Sequence, residues 1–131
     1  LLVEKKLIVE NDINEDLILR TDKESFRSIF SNLLNNAIKY SPTGSKIVFN
    51  AAKEKKSIVI SIKDNGYGIE KNSIKRVFER FYRSSKARAH TKGTGLGLAL
   101  VKQLSSRIGA NVKVESQINV GSEFFVSFQD K

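Results

Sequence analysis

Asn32 and Asn36 stand four residues apart in a segment with helical periodicity, so both side chains leave the same face. An asparagine oxygen is a neutral ligand for a hard cation such as Mg²⁺, which takes few protein ligands and leaves most of its sphere to phosphate and water. The same pair also reads as two solvated or capping amides. Lys39 and Tyr40 follow one turn on. Asp64-Asn65-Gly66-Tyr67-Gly68-Ile69 places a carboxylate at the end of a strand, beside two glycines. A buried carboxylate only accepts hydrogen bonds and suits an exocyclic amine such as adenine's. Glycines beside it leave room for a flat ring, although an Asx-turn explains the same residues without a ligand. Gly93-Thr94-Gly95-Leu96-Gly97-Leu98 leads into a helix. Backbone N–H groups there can approach an anion closely, and the helix N-terminus adds partial positive charge. The spacing is not that of a Walker A loop, and Leu98 occupies the place of the dinucleotide fingerprint's third glycine.

These residues need elements to hold them. Phe26, Ile29, Phe30, Leu33, Leu34 and Ala37 form the apolar stripe of an amphipathic helix. Thr21 with Glu24 predicts a capping box at its start, and Pro42 with Gly44 its end. The first twenty residues predict a hairpin, with short apolar runs at 7–9 and 17–19 around Asn11, Asp12 and Asn14. Strands are expected at 46–52 and 57–63, and a short helix over Asn72–Phe78. Residues 84–92 carry no large hydrophobe and read as a mobile loop. A helix with Leu96, Leu100, Val101, Leu104 and Ile108 stops at Gly109. Strands at 112–115 and 122–128 close the chain as a hairpin around Gly121. The expected class is α/β, a mixed sheet with helices on one face, in a single domain over residues 1–131.

Composition excludes much. Without cysteine there is no disulfide framework, thiolate metal site or cysteine nucleophile. No apolar run approaches the length that spans a bilayer. Methionine is absent even at position 1, so the chain is expected to be a processed or excised part of something longer. The net charge of +9 points to an anionic partner. Its distribution is uneven: residues 71–92 hold eight basic side chains against Glu79 alone. A solvated face explains such a run as well as a bound anion does.

The four segments together, Asn32–Pro42, Asp64–Ile69, Phe78–Arg83 and Gly93–Leu98, occur in an order and spacing that resemble the N, G1, F and G2 boxes of one family. The chain is similar to the catalytic and ATP-binding domain of bacterial sensor histidine kinases, in the GHKL superfamily. Gly121-Ser122-x-Phe124 resembles the start of that domain's last strand. The resemblance covers essentially the whole chain. Phe128-Gln129 departs from the family's hydrophobic-Pro ending, and Gly109-Ala110 from its Gly-Gly.

The resemblance implies a two-layer α/β sandwich of the Bergerat type, with ATP and Mg²⁺ as cofactors. It implies that Asp64 bonds the adenine amino group, with Gly66, Gly68 and Ile69 around the base and Tyr40 against it. Asn36 would coordinate Mg²⁺, with Asn32 and Lys39 on the phosphate side and Arg83 reaching the γ-phosphate. Lys92, Gly93, Thr94, Gly95, Leu96, Gly97 and Leu98 would bind the phosphates, and residues 84–92 would form an ATP lid. The basic run would thus face a triphosphate.

The superfamily's ATP-hydrolysing members carry a glutamate four residues before the metal-binding asparagine. Here that position is Asn32, which accepts no proton at neutral pH. Transfer to a nucleophile on another domain is therefore expected. The family's acceptor is a histidine on a separate helical dimerisation hairpin; His90, between Ala89 and Thr91, reads as an exposed lid residue. The implied setting is the cytoplasmic part of a membrane-anchored receptor, signalling onward to a response regulator, with no nucleic-acid partner. Two alternatives remain. One is a GHKL-type regulatory ATP-binding module or anti-sigma-type serine kinase; the other is a basic nucleic-acid-binding domain, which the charge allows.

Overall fold

The computed structural model describes residues 8–13, 17–84 and 93–129. Among the described residues five strands form one sheet: β1 (Ile8–Ile13), β2 (Lys46–Glu54), β3 (Ser57–Asp64), β4 (Asn111–Gln117) and β5 (Gly121–Gln129). Their order is β1-β2-β3-β5-β4. Two helices, α1 (Lys23–Tyr40) and α2 (Gly97–Arg107), pack against each other and on one face of the sheet. The sheet is mixed, because β1 runs parallel to β2 while every other pair is antiparallel.

The register explains which side is core. Phe49, Ile62, Phe124 and Val114 stand in one cross-strand row, and Ala51, Ile60, Val126 and Val112 in the next. With a side-chain period of two, these rows share one face and meet Ile29, Leu33 and Ala37 of α1 and Val101 of α2 in the core. Leu33 is fully buried, so Leu33→Ala would cost about 2–5 kcal/mol. Phe26 stacks on Phe30 at 4.7 Å and reaches Phe128 at 5.9 Å, tying the first turn of α1 to β5. The same face continues past the apolar rows into the row Ile47–Asp64–Ser122–Ser116, polar in its last three members. That row is where the site begins.

Three local expectations are corrected. Among the described residues the hairpin expected in the first twenty does not form: residues 8–13 are strand straight through Asn11 and Asp12, and residues 17–20 carry none. Backbone pairing with β2 outweighs the local turn preference of those residues. Helix α1 is capped by Asp22, not Thr21; the Asp22 carboxylate accepts from the Ser25 N–H at 2.9 Å. Residues 72–78 form successive tight turns rather than a helix, with three-residue closures such as Arg76 N–H to the Ser73 carbonyl. They lead to Phe81, whose φ of +64° no helix continues through. At the other end of α1, Ser41 is extended because it precedes Pro42.

Candidate functional site

A cleft of about 1080 Å³ opens between α1, the end of β3, the turns at 77–84 and the segment that leads into α2. Its first wall is one face of α1: Asn32, Asn35, Asn36, Lys39 and Tyr40. These are the positions that the core stripe leaves over, so the helix that buries Leu33 and Ala37 necessarily offers them to the cleft.

At one end lies Asp64, 4% exposed. Its Oδ1 accepts from the Gly66 N–H at 2.9 Å and the Ser122 N–H at 3.2 Å. Among the described residues no hydrogen bond is recorded to Oδ2, and Asp64 lines the cleft. Burial pushes the Asp64 carboxyl up to about 6, against the opposing pull of those two N–H groups. At neutral pH it is an ionised acceptor held rigidly in a partly dry wall.

Three glycines keep this end in place. A Cβ on Gly66 would stand 2.3 Å from the Tyr40 carbonyl oxygen, to which the Tyr67 N–H donates at 3.1 Å. Gly68, with φ +77°, packs on the backbone of Gln117, where a Cβ would come within 2.2 Å of the carbonyl oxygen. Gly121 approaches the Asp64 carbonyl in the same way. The G1 turn is thereby clamped between the end of α1 and the β4–β5 hairpin.

The other end is cationic and rich in N–H groups. Helix α2 begins with Leu96 at its N-cap, and no side chain caps it. Its first residues, Gly97, Leu98 and Ala99, line the cleft, so their N–H groups and the helix dipole are available to an anion. A Cβ on Gly93 would meet Lys39 Nζ at 3.7 Å and Arg83 Nε at 3.9 Å. Two cations from different elements therefore converge on one glycine. Gly95, with φ +75°, packs on Phe81, whose N–H donates to the Gly95 carbonyl at 2.9 Å. Tyr82 is fixed in turn by a 2.6 Å hydroxyl contact with Ser73 and by the Arg76 guanidinium 4.4 Å above its ring.

A buried acceptor at one end and a cationic, amide-rich end at the other describe a site for a base carrying phosphates. Residues 21–131 match the family described as histidine kinase-, DNA gyrase B- and HSP90-like ATPase. The chain belongs to this ATPase family. Within it, several similar proteins are sensor kinases. The sensor histidine kinase WalK of Bacillus subtilis is 37% identical over 82% of the chain and 18% of its own length. The sensor-like histidine kinase SenX3 of Mycolicibacterium smegmatis is 43% identical over 76% of the chain and 26% of its own length. The mycobacterial sensor histidine kinase MprB superposes with a TM-score of 0.86 at 26% identity, covering 99% of this chain and 88% of that structure. Full-length ShkA in complex with AMPPNP superposes at 0.82 with 28% identity, over 98% of this chain and 27% of that one. The chain thus corresponds to the ATP-binding catalytic domain of sensor histidine kinases, and spans about a fifth to a quarter of the curated relatives it matches.

For this ATPase domain the cleft brings together nearly all the residues singled out in the sequence: Asn32, Asn36, Lys39, Tyr40, Asp64, Gly68, Ile69, Arg83 and Gly93 through Leu98. Gly66 is not among the lining residues; its missing side chain makes room for the Tyr40 carbonyl instead. Lys92, His90 and all of the lid segment except Ser84 lie outside the described residues. The cleft also includes residues the sequence did not single out. Ser122 stands beside Asp64, and Lys102, Gln103 and Ser106 continue the α2 wall. The helical period of α2 could have signalled Gln103 and Ser106, since they fall away from buried Val101 and Ser105. Among the described residues no helix is long and apolar enough to cross a membrane.

Proposed function

We propose that residues 1–131 act as one unit that binds Mg·ATP and transfers its γ-phosphoryl group to a histidine on a separate helical dimerisation domain. The observation that carries this is the polarity of the cleft, with the Asp64 acceptor at one end and Lys39, Arg83 and the uncapped start of α2 at the other.

Asp64 would accept from the adenine N6 amine, with Gly68 and Ile69 beside the ring and Tyr40 against it. Lys39 and Arg83 would hold the outer phosphates, and Gly93 through Leu98 would supply backbone N–H groups. The donor set fits Mg²⁺: Asn36 offers one neutral oxygen, and no group of three or more acidic, histidine or cysteine side chains competes among the described residues. When bound, Mg²⁺ supplies charge neutralisation on the phosphates. Asn32 gives its amide N–H to the Ser28 carbonyl at 2.8 Å and has no basic group with which to activate water. The γ-phosphoryl therefore passes to an imidazole nitrogen, which forms a bond to phosphorus as the bond to the bridging oxygen breaks and ADP leaves. Positioning and electrostatics do the catalytic work in such a transfer.

The parent protein is proposed to be a membrane-anchored sensor whose cytoplasmic part includes this domain and whose phosphohistidine serves a response regulator. The test mixes the domain with Mg·ATP and isolated histidine-hairpin domains. Acid-labile phosphate on the partner is expected. ATP binding with no phosphate on any partner would remove the transfer step and leave a regulatory nucleotide-binding module.

A further inference from the structure

The base-recognition end contains a hydrogen-bond junction that reaches beyond Asp64. The Ser116 Oγ of β4 lies 2.7 Å from the Ile69 nitrogen, 3.0 Å from the Gly121 carbonyl oxygen and 2.8 Å from the Ser122 Oγ. A serine hydroxyl has one proton to give and two lone pairs. The Ile69 N–H can only donate, so it takes one lone pair of Ser116. The Gly121 carbonyl can only accept, so it takes the Ser116 proton. The third partner then has one role left: Ser122 donates its proton to the remaining lone pair of Ser116.

We infer that Ser116 is a positioning residue that fixes the Ser122 hydroxyl as an acceptor toward the cleft and so sets which base edge the site admits. Ser122 lines the cleft, and its own N–H holds Asp64 Oδ1 at 3.2 Å. With its proton committed to Ser116, it offers a ligand lone pairs only. Asp64, when ionised, offers the same. Two neighbouring acceptors favour a base with an amine at this edge and disfavour one with a carbonyl there. Adenine carries N6 as an amine, and hypoxanthine carries O6 as a carbonyl at the same place. Discrimination against 6-oxo purines thus comes from Ser116, a residue outside the lining of the cleft, as well as from Asp64. The inference rests on the nucleotide reading above.

The test compares the affinities of ATP and ITP for the wild-type domain, Ser116→Ala and Ser116→Thr. In Ser116→Ala the Ser122 hydroxyl is freed to turn and donate to O6. The preference for ATP over ITP is expected to fall by about fivefold or more, one hydrogen bond's worth. Ser116→Thr keeps a hydroxyl and is expected to restore the preference. A merely structural role would weaken both nucleotides alike, so an unchanged ratio overturns the proposal. If Ser116→Ala does not fold, or if the wild-type domain binds neither nucleotide, neutron diffraction of the unliganded wild-type domain decides. A deuteron on Ser122 directed at Ser116 upholds the assignment, and one directed into the cleft overturns it. Failure of both nucleotides to bind would count against the proposed function, whereas the position of the deuteron bears on Ser116 alone.

Discussion

Gly66 lies so near the end of α1 that a Cβ there would stand 2.3 Å from the Tyr40 carbonyl oxygen and 2.8 Å from Asp64 Oδ1. The contact is to rigid backbone on one side and to the buried Asp64 carboxylate on the other. Gly66→Ala is therefore expected to push the turn away from α1 and cost about 3 kcal/mol. Thermal unfolding would read this as a lowered Tm, and nucleotide affinity should fall with it. A variant as stable as wild type would show that the turn has slack the packing does not suggest.

Asp64→Asn separates function from stability. The amide oxygen of the variant side chain can still accept from the Gly66 and Ser122 N–H groups, but its NH₂ would point donors at the adenine amine. ATP affinity is expected to drop by about 100-fold or more by calorimetry. Stability should move the other way. The folded form raises the carboxyl from 3.8 to about 6, so it binds more protons than the unfolded chain between those values. Stability therefore falls as pH rises through that window and stays at the lower level above it. The difference of roughly two units corresponds to about 3 kcal/mol, which the uncharged variant recovers at pH 8. Denaturant melts of both forms at pH 4 and pH 8 test the sign.

The same titration predicts how base selectivity depends on pH. Purine riboside triphosphate lacks the N6 amine but shares the phosphates of ATP, so a ratio of affinities cancels phosphate protonation. Preference for ATP should be full above pH 7 and decline below about 6, as the Asp64 carboxylate takes a proton. A ratio flat from pH 5 to 8 would remove Asp64 as the reader of the amine.

Lys39 and Arg83 meet at Gly93 from two separate elements. With the phosphates at that end, as proposed, alanine at either is expected to weaken ATP by about tenfold while leaving adenosine nearly unchanged. The double variant should lose less than the sum of the two, since both cations address one charge cluster. Raising ionic strength should shrink both effects. Equal losses for adenosine and ATP would place the two side chains in a structural role.

How much of this could be read beforehand follows from how local each determinant is. The stripe Phe26–Ile29–Leu33–Ala37 fixes α1, and with it the cleft face that carries Asn32, Asn36 and Tyr40. Strands β2 and β3, and again β4 and β5, are hairpin neighbours whose alternation is a short-range signal. Strand β1 was illegible because Asn11 and Asp12 have turn chemistry, and only a parallel partner more than thirty residues away overrides it. The helix expected over 72–78 failed for a related reason. Phe78 must reach Phe124 in the core, at 6.1 Å edge-on, and Phe81 must meet Gly95, which a straight helix cannot provide. The place of Gly66 against Tyr40, and the contact of Ser116 with Ile69, join segments far apart in the chain. No spacing in the sequence announces them.

The hydrogen bond from Phe81 to the Gly95 carbonyl has a consequence for engineering. It joins two parts of the chain fourteen residues apart on the side of the cleft where Lys39 and Arg83 approach Gly93. Loop length is thermodynamically inexpensive to change, with each doubling adding only about 0.6 kcal/mol. Exchange of length or chemistry between the two joined parts is limited instead by Arg83, Gly93 and Thr94, which lie between them and line the cleft, so a replacement segment has to keep these three.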